Sequence, residues 1–251
     1  MSEFSTSDRE RFDREGFLRV RGLADPAGLE SILEQVRAEL ASQPMELEID
    51  VGYPGAPRSE EDRGASTPRR LLAAYARSGA IQAWAAVPAP VVSQLLGSPT
   101  VWLSQAHHNC VMTKYPSYSS DTLWHQDIRF WAFEPPQLVN CWLALGEERT
   151  ENGGLRVIPG SHRWDLEPAR LDQGYFLDPQ HADNAAAIDK SIQLDLEPGD
   201  ALFFHAGLFH AATRNRTNSV KLSLVYSYHG AGTRPVPGTR SAAVEEIRFD
   251  C

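Results

Sequence analysis

Cysteine is scarce in this chain: Cys110, Cys141 and Cys251 are the only three in 251 residues. An odd number with no zinc-motif spacing argues against a disulfide framework or a cysteine-built metal site. It points to a reducing, cytoplasmic setting. Long apolar runs are missing as well. No uninterrupted stretch approaches the roughly 20 residues of a membrane-spanning helix. The opening Met-Ser-Glu-Phe-Ser-Thr-Ser-Asp is polar and acidic, unlike a secretory signal. Nor is there an excess of positive charge. The 24 Lys and Arg stand against 33 Asp and Glu, a formal −9 with the signs interspersed, which disfavours a nucleic-acid-binding surface. Repeats and low-complexity tracts are absent too. What remains is an ordinary soluble composition, 42% hydrophobic, at a length suited to one well-cored domain over 1–251.

Strand signals dominate the second part of the chain, about 99–230. Thr122-Leu-Trp-His-Gln-Asp-Ile-Arg-Phe-Trp131 is aromatic and aliphatic and follows a cluster of turn formers at Tyr115–Asp121. Leu138-Val-Asn-Cys-Trp-Leu-Ala-Leu145 is a nearly continuous apolar run, suited to a strand covered on both faces. Short strands at Leu155–Ile158, Ala201–His205, Leu208–Ala212 and Lys221–Tyr228 are separated by Gly, Pro and Asn turns. This spacing predicts an antiparallel sandwich or barrel.

The first part, about 1–98, reads as mainly helical. Ser7-Asp-Arg-Glu10 has the form of a capping box. Pro26–Ala41 carries Leu29, Ile32, Leu33, Val36 and Leu40 at helical spacing, as a helix buttressing a sheet would. Pro68–Arg77 and Ile81–Leu96 are further helical candidates, the latter broken around Pro88 and Pro90. Two long segments without strong periodicity, Pro44–Thr67 and Trp164–Ser191, are candidates for a lid and a pocket wall, or for plain surface loops.

Within the strand-rich part, His125-Gln126-Asp127 places an imidazole and a carboxylate two residues apart. In a strand they point to the same side. A second imidazole from a distant strand completes a two-His, one-carboxylate set, the ligand type that holds non-haem Fe(II) with open coordination positions. His205 and His210 both qualify. Five residues apart, they would face opposite ways in an unbroken strand, but Ala206-Gly207 interrupts it, and periodicity alone does not choose.

His125-Gln-Asp127, Asn152-Gly-Gly-Leu-Arg-Val-Ile-Pro-Gly-Ser-His162, Gly199-Asp200-Ala-Leu-Phe-Phe-His205, and His210 followed by Asn215 stand in the order of one known family. Together with Phe12-Asp-Arg-Glu-Gly-Phe-Leu-Arg-Val-Arg-Gly22 they resemble the phytanoyl-CoA dioxygenase family, from about residue 8 to 230. The resemblance implies a mainly β fold with flanking helices around a double-stranded β-helix (jelly roll) core. It implies a dioxygenase using Fe(II), 2-oxoglutarate and O2, most simply a hydroxylase of a small organic substrate that releases succinate and CO2. The family pattern places the second metal-ligand imidazole at His210, giving His125, Asp127 and His210 as the catalytic metal set. Because Asp127 is present, halogenation, which needs a small residue there, is not expected.

The resemblance also locates the co-substrate. The family carries an Arg eleven residues after the distal His to meet the far carboxylate of 2-oxoglutarate; here that residue is Lys221, a flexible point charge in place of a planar fork. Ser223, on the same face, is placed to add a hydrogen bond. Arg214 and Arg216 are alternative cations in a turn-like stretch. Trp142 falls near a family tryptophan beside the co-substrate, or else packs in the core. Cys110 falls, by position, on the co-substrate pocket, and Lys114 matches a family lysine of open role. Arg129, Phe130, Trp131 and the His107-His108 pair are candidates for substrate selection. Two other readings use the same ligands: a zinc hydrolase, and a non-catalytic metal-binding jelly roll, which the Lys221 departure keeps open.

Overall fold

The computed structural model describes residues 5–42, 47–49, 67–77, 79–116 and 119–251. Among the described residues the α-helices are α1 (Thr6–Glu15), α2 (Pro26–Ser42), α3 (Gly79–Trp84), α4 (Ala89–Leu96) and α5 (Ala182–Asp189). The early strands are β1 (Phe17–Val20), β2 (Leu47–Ile49), β3 (Pro68–Leu72), β4 (Thr100–Leu103), β5 (Asn109–Lys114), β6 (Thr122–His125) and β7 (Phe133–Glu134). Then come β8 (Leu138–Ala144), β9 (Leu155–Val157), β10 (Ile192–Gln193), β11 (Ala201–His205) and β12 (His210–Ala212). Last are β13 (Lys221–Gly230), β14 (Arg234–Pro235) and β15 (Ile247–Asp250). Among the described residues no helix is long and apolar enough to cross a membrane.

The chain is mostly β with flanking helices. A nine-stranded sheet runs β1-β11-β8-β13-β5-β3-β2, with β4 on β13 and β15 on β4; a four-stranded sheet runs β10-β9-β12-β6. The alternation along β13 sorts the two faces of the large sheet. Leu224, Tyr226 and Tyr228 join Val111, Leu143 and Phe203 on one face, which α2, α3 and α4 cover with Ile32, Val36, Ile81, Val92 and Leu95. The Tyr226 and Tyr228 hydroxyls donate to the carbonyls of Ile81 and Ala85, tying α3 and the turn after it to β13. Val225 lies on the opposite face with Trp142, Leu202 and Phe204, packed against Leu155, Val157 and Ala212 of the small sheet. The interior between the two sheets is where the site lies.

Several expectations hold here. The run Leu138–Ala144 is buried at every position, as a strand covered on both faces must be. The helix expected over Pro26–Ala41 forms, and the break expected around Pro88 and Pro90 separates α3 from α4, with Pro88 at the N-cap of α4 and Pro90 in its first turn. Others need correction. The capping box belongs to Ser5, whose hydroxyl accepts from the Asp8 amide while the Asp8 carboxylate accepts from the Ser5 amide. Pro68–Arg77 is not helical: β3 pairs with β5, Arg70 opposite Met112, before a 3-10 turn over Ala74–Ala76. Its Arg-Arg-Leu-Leu content favours helix, but pairing with β5 and complete burial of Leu71 outweigh that propensity. Proline is tolerated as the first residue of such a strand. With β1, β2 and β3 the first hundred residues add three strands to the large sheet, so that part is not purely a helical prelude. The candidate lid Pro44–Thr67 lies outside the described residues, apart from β2 and Thr67.

Candidate active site

His125 is the last residue of β6. Gln126 stays extended, and Asp127 opens a 3-10 turn that runs to Phe130. Asp127 thus returns to the side of His125 just before the chain bends away. His210 opens β12 directly opposite His125 in the small sheet, with the two rings 4.3 Å apart between centroids. Among the described residues, His125, Asp127 and His210 make up the one group of three or more potential donors close enough to share an ion, each offering an atom within 4.8 Å of the others. The interruption at Ala206-Gly207 separates the two candidate distal histidines. His205 ends β11 in the large sheet, accepts from the Gly207 amide at 2.9 Å and packs against the ring of His162, so it does not join the cluster.

The hydrogen bonds around the cluster fix its donor atoms. Nδ1 of His125 lies 2.8 Å from the Leu123 carbonyl, and Nδ1 of His210 lies 3.0 Å from the Leu208 carbonyl. A carbonyl accepts only, so each Nδ1 carries the proton and each Nε2 keeps a lone pair. Those Nε2 atoms face Asp127, at 3.4 Å from Oδ1 and 3.7 Å from Oδ2. Asn140 donates to Asp127 Oδ2 at 2.7 Å and is itself held by the Ser227 hydroxyl. His108 Nε2 stands 3.2 Å from Asp127 Oδ1.

Charge follows from this packing. Burial pushes the Asp127 carboxyl up, but the nearby imidazoles of His108 and His210 and the hydrogen bond from His108 outweigh it. They hold Asp127 well below the usual carboxylate range. Burial, with His125 alongside, lowers His210 to about 4, so it is a neutral imidazole at ordinary pH. His108 runs the other way: burial opposes its charge, yet the Asp127 carboxylate raises it to about 9.

The cluster opens into a cavity of about 420 Å³. His107, Phe130, Trp131, Phe176 and Arg240 line one part of its wall, and Met112, Trp142, Leu155, Ala212 and Lys221 another. Of the residues expected to select substrate, His107, His108, Phe130 and Trp131 reach the cavity; Arg129 instead donates to Gln126. His107 stacks on Trp131 with ring centroids 4.7 Å apart. The Trp164–Ser191 segment supplies Phe176, whose ring lies 6.0 Å from that of His125. Arg214 pairs with Asp121 at 2.8 Å and Arg216 is exposed, so neither faces the cavity as a substitute cation.

The co-substrate candidates converge on one another more closely than expected. Lys221 is buried at the start of β13, and its Nζ donates to Glu148 Oε2 at 3.1 Å and to the Ser223 hydroxyl at 3.0 Å. Ser223 passes a proton-donating bond to Glu148 Oε1 at 2.6 Å, and the Trp142 indole donates to the same oxygen at 2.8 Å. The ammonium also sits 4.9 Å from the Trp142 ring. Cys110 shares a face of β5 with Met112 but lies buried beside His108, while Met112 makes the cavity wall. Lys114 pairs across from Lys221 and donates to the Ser120 carbonyl at 2.8 Å. Beside it is Gly153, at φ +83°. A Cβ there would fall 2.4 Å from the Thr213 carbonyl and 2.5 Å from the Lys114 side chain, so the Asn-Gly-Gly turn needs glycine.

A model of the phytanoyl-CoA dioxygenase (PhyH) family matches residues 12–223. The chain belongs to the phytanoyl-CoA dioxygenase family. Among curated members of the family, a probable phytanoyl-CoA dioxygenase of Caenorhabditis elegans is 30% identical over 145 residues, covering 55% of this chain and 46% of the relative. The peroxisomal phytanoyl-CoA dioxygenase of Rattus norvegicus is 32% identical over 130 residues, 49% of this chain and 38% of the relative. These matches span less than half the length of the curated relatives. Among solved structures, the non-haem alpha-ketoglutarate-dependent epimerase SnoN from nogalamycin biosynthesis superposes with a TM-score of 0.72 at 21% identity, over 94% of this chain and 84% of that one. EctD from S. alaskensis, with 2-oxoglutarate and 5-hydroxyectoine, gives 0.73 at 21% identity, over 93% and 78%. At such identities the likeness is one of fold.

Three residues of this family member carry weight that its motifs did not announce. Asn140 was visible as the one polar side chain inside the apolar run Leu138–Leu145, a position that needs a partner. His108 was named only as one half of a pair. Glu148 had no signal: next to Glu147 after a strand, it looks like a surface acid, yet it is fully buried.

Proposed function

We propose that the chain is a non-haem Fe(II)-dependent oxygenase that uses O2 and a 2-oxo acid, 2-oxoglutarate by family likeness, to hydroxylate a small organic molecule. On this reading residues 1–251 are a single oxygenase domain, and the two facing sheets are its double-stranded β-helix. The observation that carries it is the meeting of two imidazole lone pairs and one buried carboxylate, within 4.8 Å, on the wall of a cavity of small-molecule size. That donor set fits Fe(II), which His125, Asp127 and His210 would hold. When bound, the metal with its oxo acid supplies the oxidising chemistry: one atom of O2 ends in succinate and the other in the hydroxylated product, with CO2 released.

The chain's own groups supply the rest. The carbonyls of Leu123 and Leu208 fix the imidazole tautomers, and Asn140 with Ser227 fixes the Asp127 carboxylate. His107, Phe130, Trp131 and Phe176 form a largely aromatic wall that positions substrate and excludes water. Trp142 and Lys221 line the part of the cavity assigned to the oxo acid, and Ser223, buried behind them, holds Lys221 through its hydroxyl. A cytoplasmic location is part of the same reading, supported by three unpaired cysteines. Replacing Asp127 by Ala should abolish stoichiometric iron binding and substrate-dependent succinate release while the circular dichroism spectrum is kept. Unchanged iron content and turnover in Asp127→Ala would overturn the proposal.

A further inference from the structure

We infer that Glu148 is a specificity-determining residue. It is a resident carboxylate that occupies the ammonium of Lys221, so that the oxo-acid part of the cavity is built for an uncharged tail as much as for a second carboxylate. The inference rests on the oxygenase reading above and concerns which 2-oxo acid that site takes.

Three observations support it. Lys221 is the cation positioned by the motif order to meet the far end of the oxo acid, and it does line the cavity. Its charge is nevertheless matched within the protein. Glu148 is 0% exposed, and both its oxygens are engaged, Oε1 by Trp142 and Ser223 and Oε2 by Lys221. The Glu148 backbone is pinned too, exchanging amide-to-carbonyl bonds of 2.9 and 3.1 Å with Leu196, so the carboxylate cannot easily swing away. Finally, the cavity wall near Lys221 includes apolar Met112, Trp142, Leu155 and Ala212, and the further cations that line it on β5 and β3 are engaged within the protein, Lys114 with the Ser120 carbonyl and Arg69 and Arg70 with Glu48.

The electrostatic consequence is direct. A dicarboxylic oxo acid would bring a second negative charge to a lysine already shared with a buried glutamate. The three-charge cluster would then carry a net negative charge out of water, an arrangement that burial penalises heavily. An aliphatic tail meets no such cost against Met112, Leu155 and Ala212. Neutralising Glu148 reverses the preference, because an unmatched buried ammonium then needs the substrate's carboxylate. The chemistry balances for either co-substrate: 2-oxoglutarate yields succinate and CO2, and the five-carbon 2-oxopentanoate yields butanoate and CO2.

The test is an anaerobic titration of the Fe(II)-loaded protein with 2-oxoglutarate and, separately, with 2-oxopentanoate, following the visible charge-transfer absorbance of a chelated keto acid. The wild-type protein should bind the two acids with dissociation constants within about threefold of one another, the uncharged tail being no worse. Glu148→Gln keeps the Trp142 and Ser223 contacts in shape. It should shift the ratio toward 2-oxoglutarate by roughly ten- to hundredfold, the worth of one charge-assisted hydrogen bond. A wild-type preference for 2-oxoglutarate beyond about thirtyfold would overturn the inference while leaving the oxygenase reading standing, and it needs no variant to fold. If neither acid gives the band although iron is bound, the oxygenase reading falls, and this inference with it.

Discussion

Two buried carboxylates, Asp127 and Glu148, stand at different places in the same interior and have opposite neighbours. Asp127 stands among His108, His125 and His210: two of them turn unprotonated Nε2 atoms toward it, and His108, raised to about 9, is its charged neighbour. Glu148 has Lys221 at 3.1 Å, plus an indole and a hydroxyl, and is satisfied in itself. A buried carboxylate flanked by two lone-pair-bearing imidazoles is a convergent donor set that invites a metal. A buried carboxylate with its own ammonium is closed, and closes that ammonium to others. The difference separates donor atoms left free to converge on an ion from an ion pair closed on itself.

Breaking the closed pair should have the largest effect on stability. Lys221→Met strands Glu148 without its cation, and unfolding by denaturant should register a loss of about 3–5 kcal/mol, most of it recovered in the double variant with Glu148→Gln. A single variant as stable as the parent would mean that the pair is not matched as described. The buried neutral imidazoles should make the fold acid-sensitive. Burial lowers His107, His205 and His210 each from 6.5 to about 4. The unfolded chain therefore takes up protons that the folded chain refuses, and stability present above pH 6.5 drains away as the pH falls toward 4. For the fully buried His210 the displacement corresponds to about 3 kcal/mol. Denaturation of metal-free protein at pH 7 and pH 5 checks this, and equal stability at both would refute it. The mildest intervention is Asn140→Ala, which leaves the ligands and loosens only the Asp127 carboxylate. Iron affinity should fall roughly tenfold, read by competition with a chelator. An unchanged affinity would show that Asn140 is a bystander.

The open end of this comparison was legible in the amino-acid order; the closed end was half legible. His125 and Asp127 lie two residues apart in an aromatic stretch, and motif order separated His210 from His205. The chain bears out the reason, since a glycine turn puts those two histidines in different sheets. Lys221 and Ser223 were likewise in view, being two apart on one strand. Their partner was not, because Glu148 is 73 residues from Lys221 and nothing local marks it as buried. The same limit explains β3. Its residues favour helix, and only the unpaired edge of β5, more than thirty positions later, turns them into a strand. Local pattern reveals what a strand can present, and pairing across the fold decides what it meets.

One strand, β13, supports both ends of the site. Ser227 steadies Asn140 and through it Asp127 of the proposed metal set, while Ser223 and Lys221 stand further along the same face. Tyrosine hydroxyls on the reverse face lash the strand to α3 and the turn after it, and β4, β5 and β8 hold its edges. It is therefore a ruler of fixed gradation, about 3.3 Å per residue, that no side-chain change can lengthen. A lineage of such proteins could exchange one oxo acid for another by rewriting the mark at the far end, lysine and glutamate together, without recalibrating the end that grips the metal.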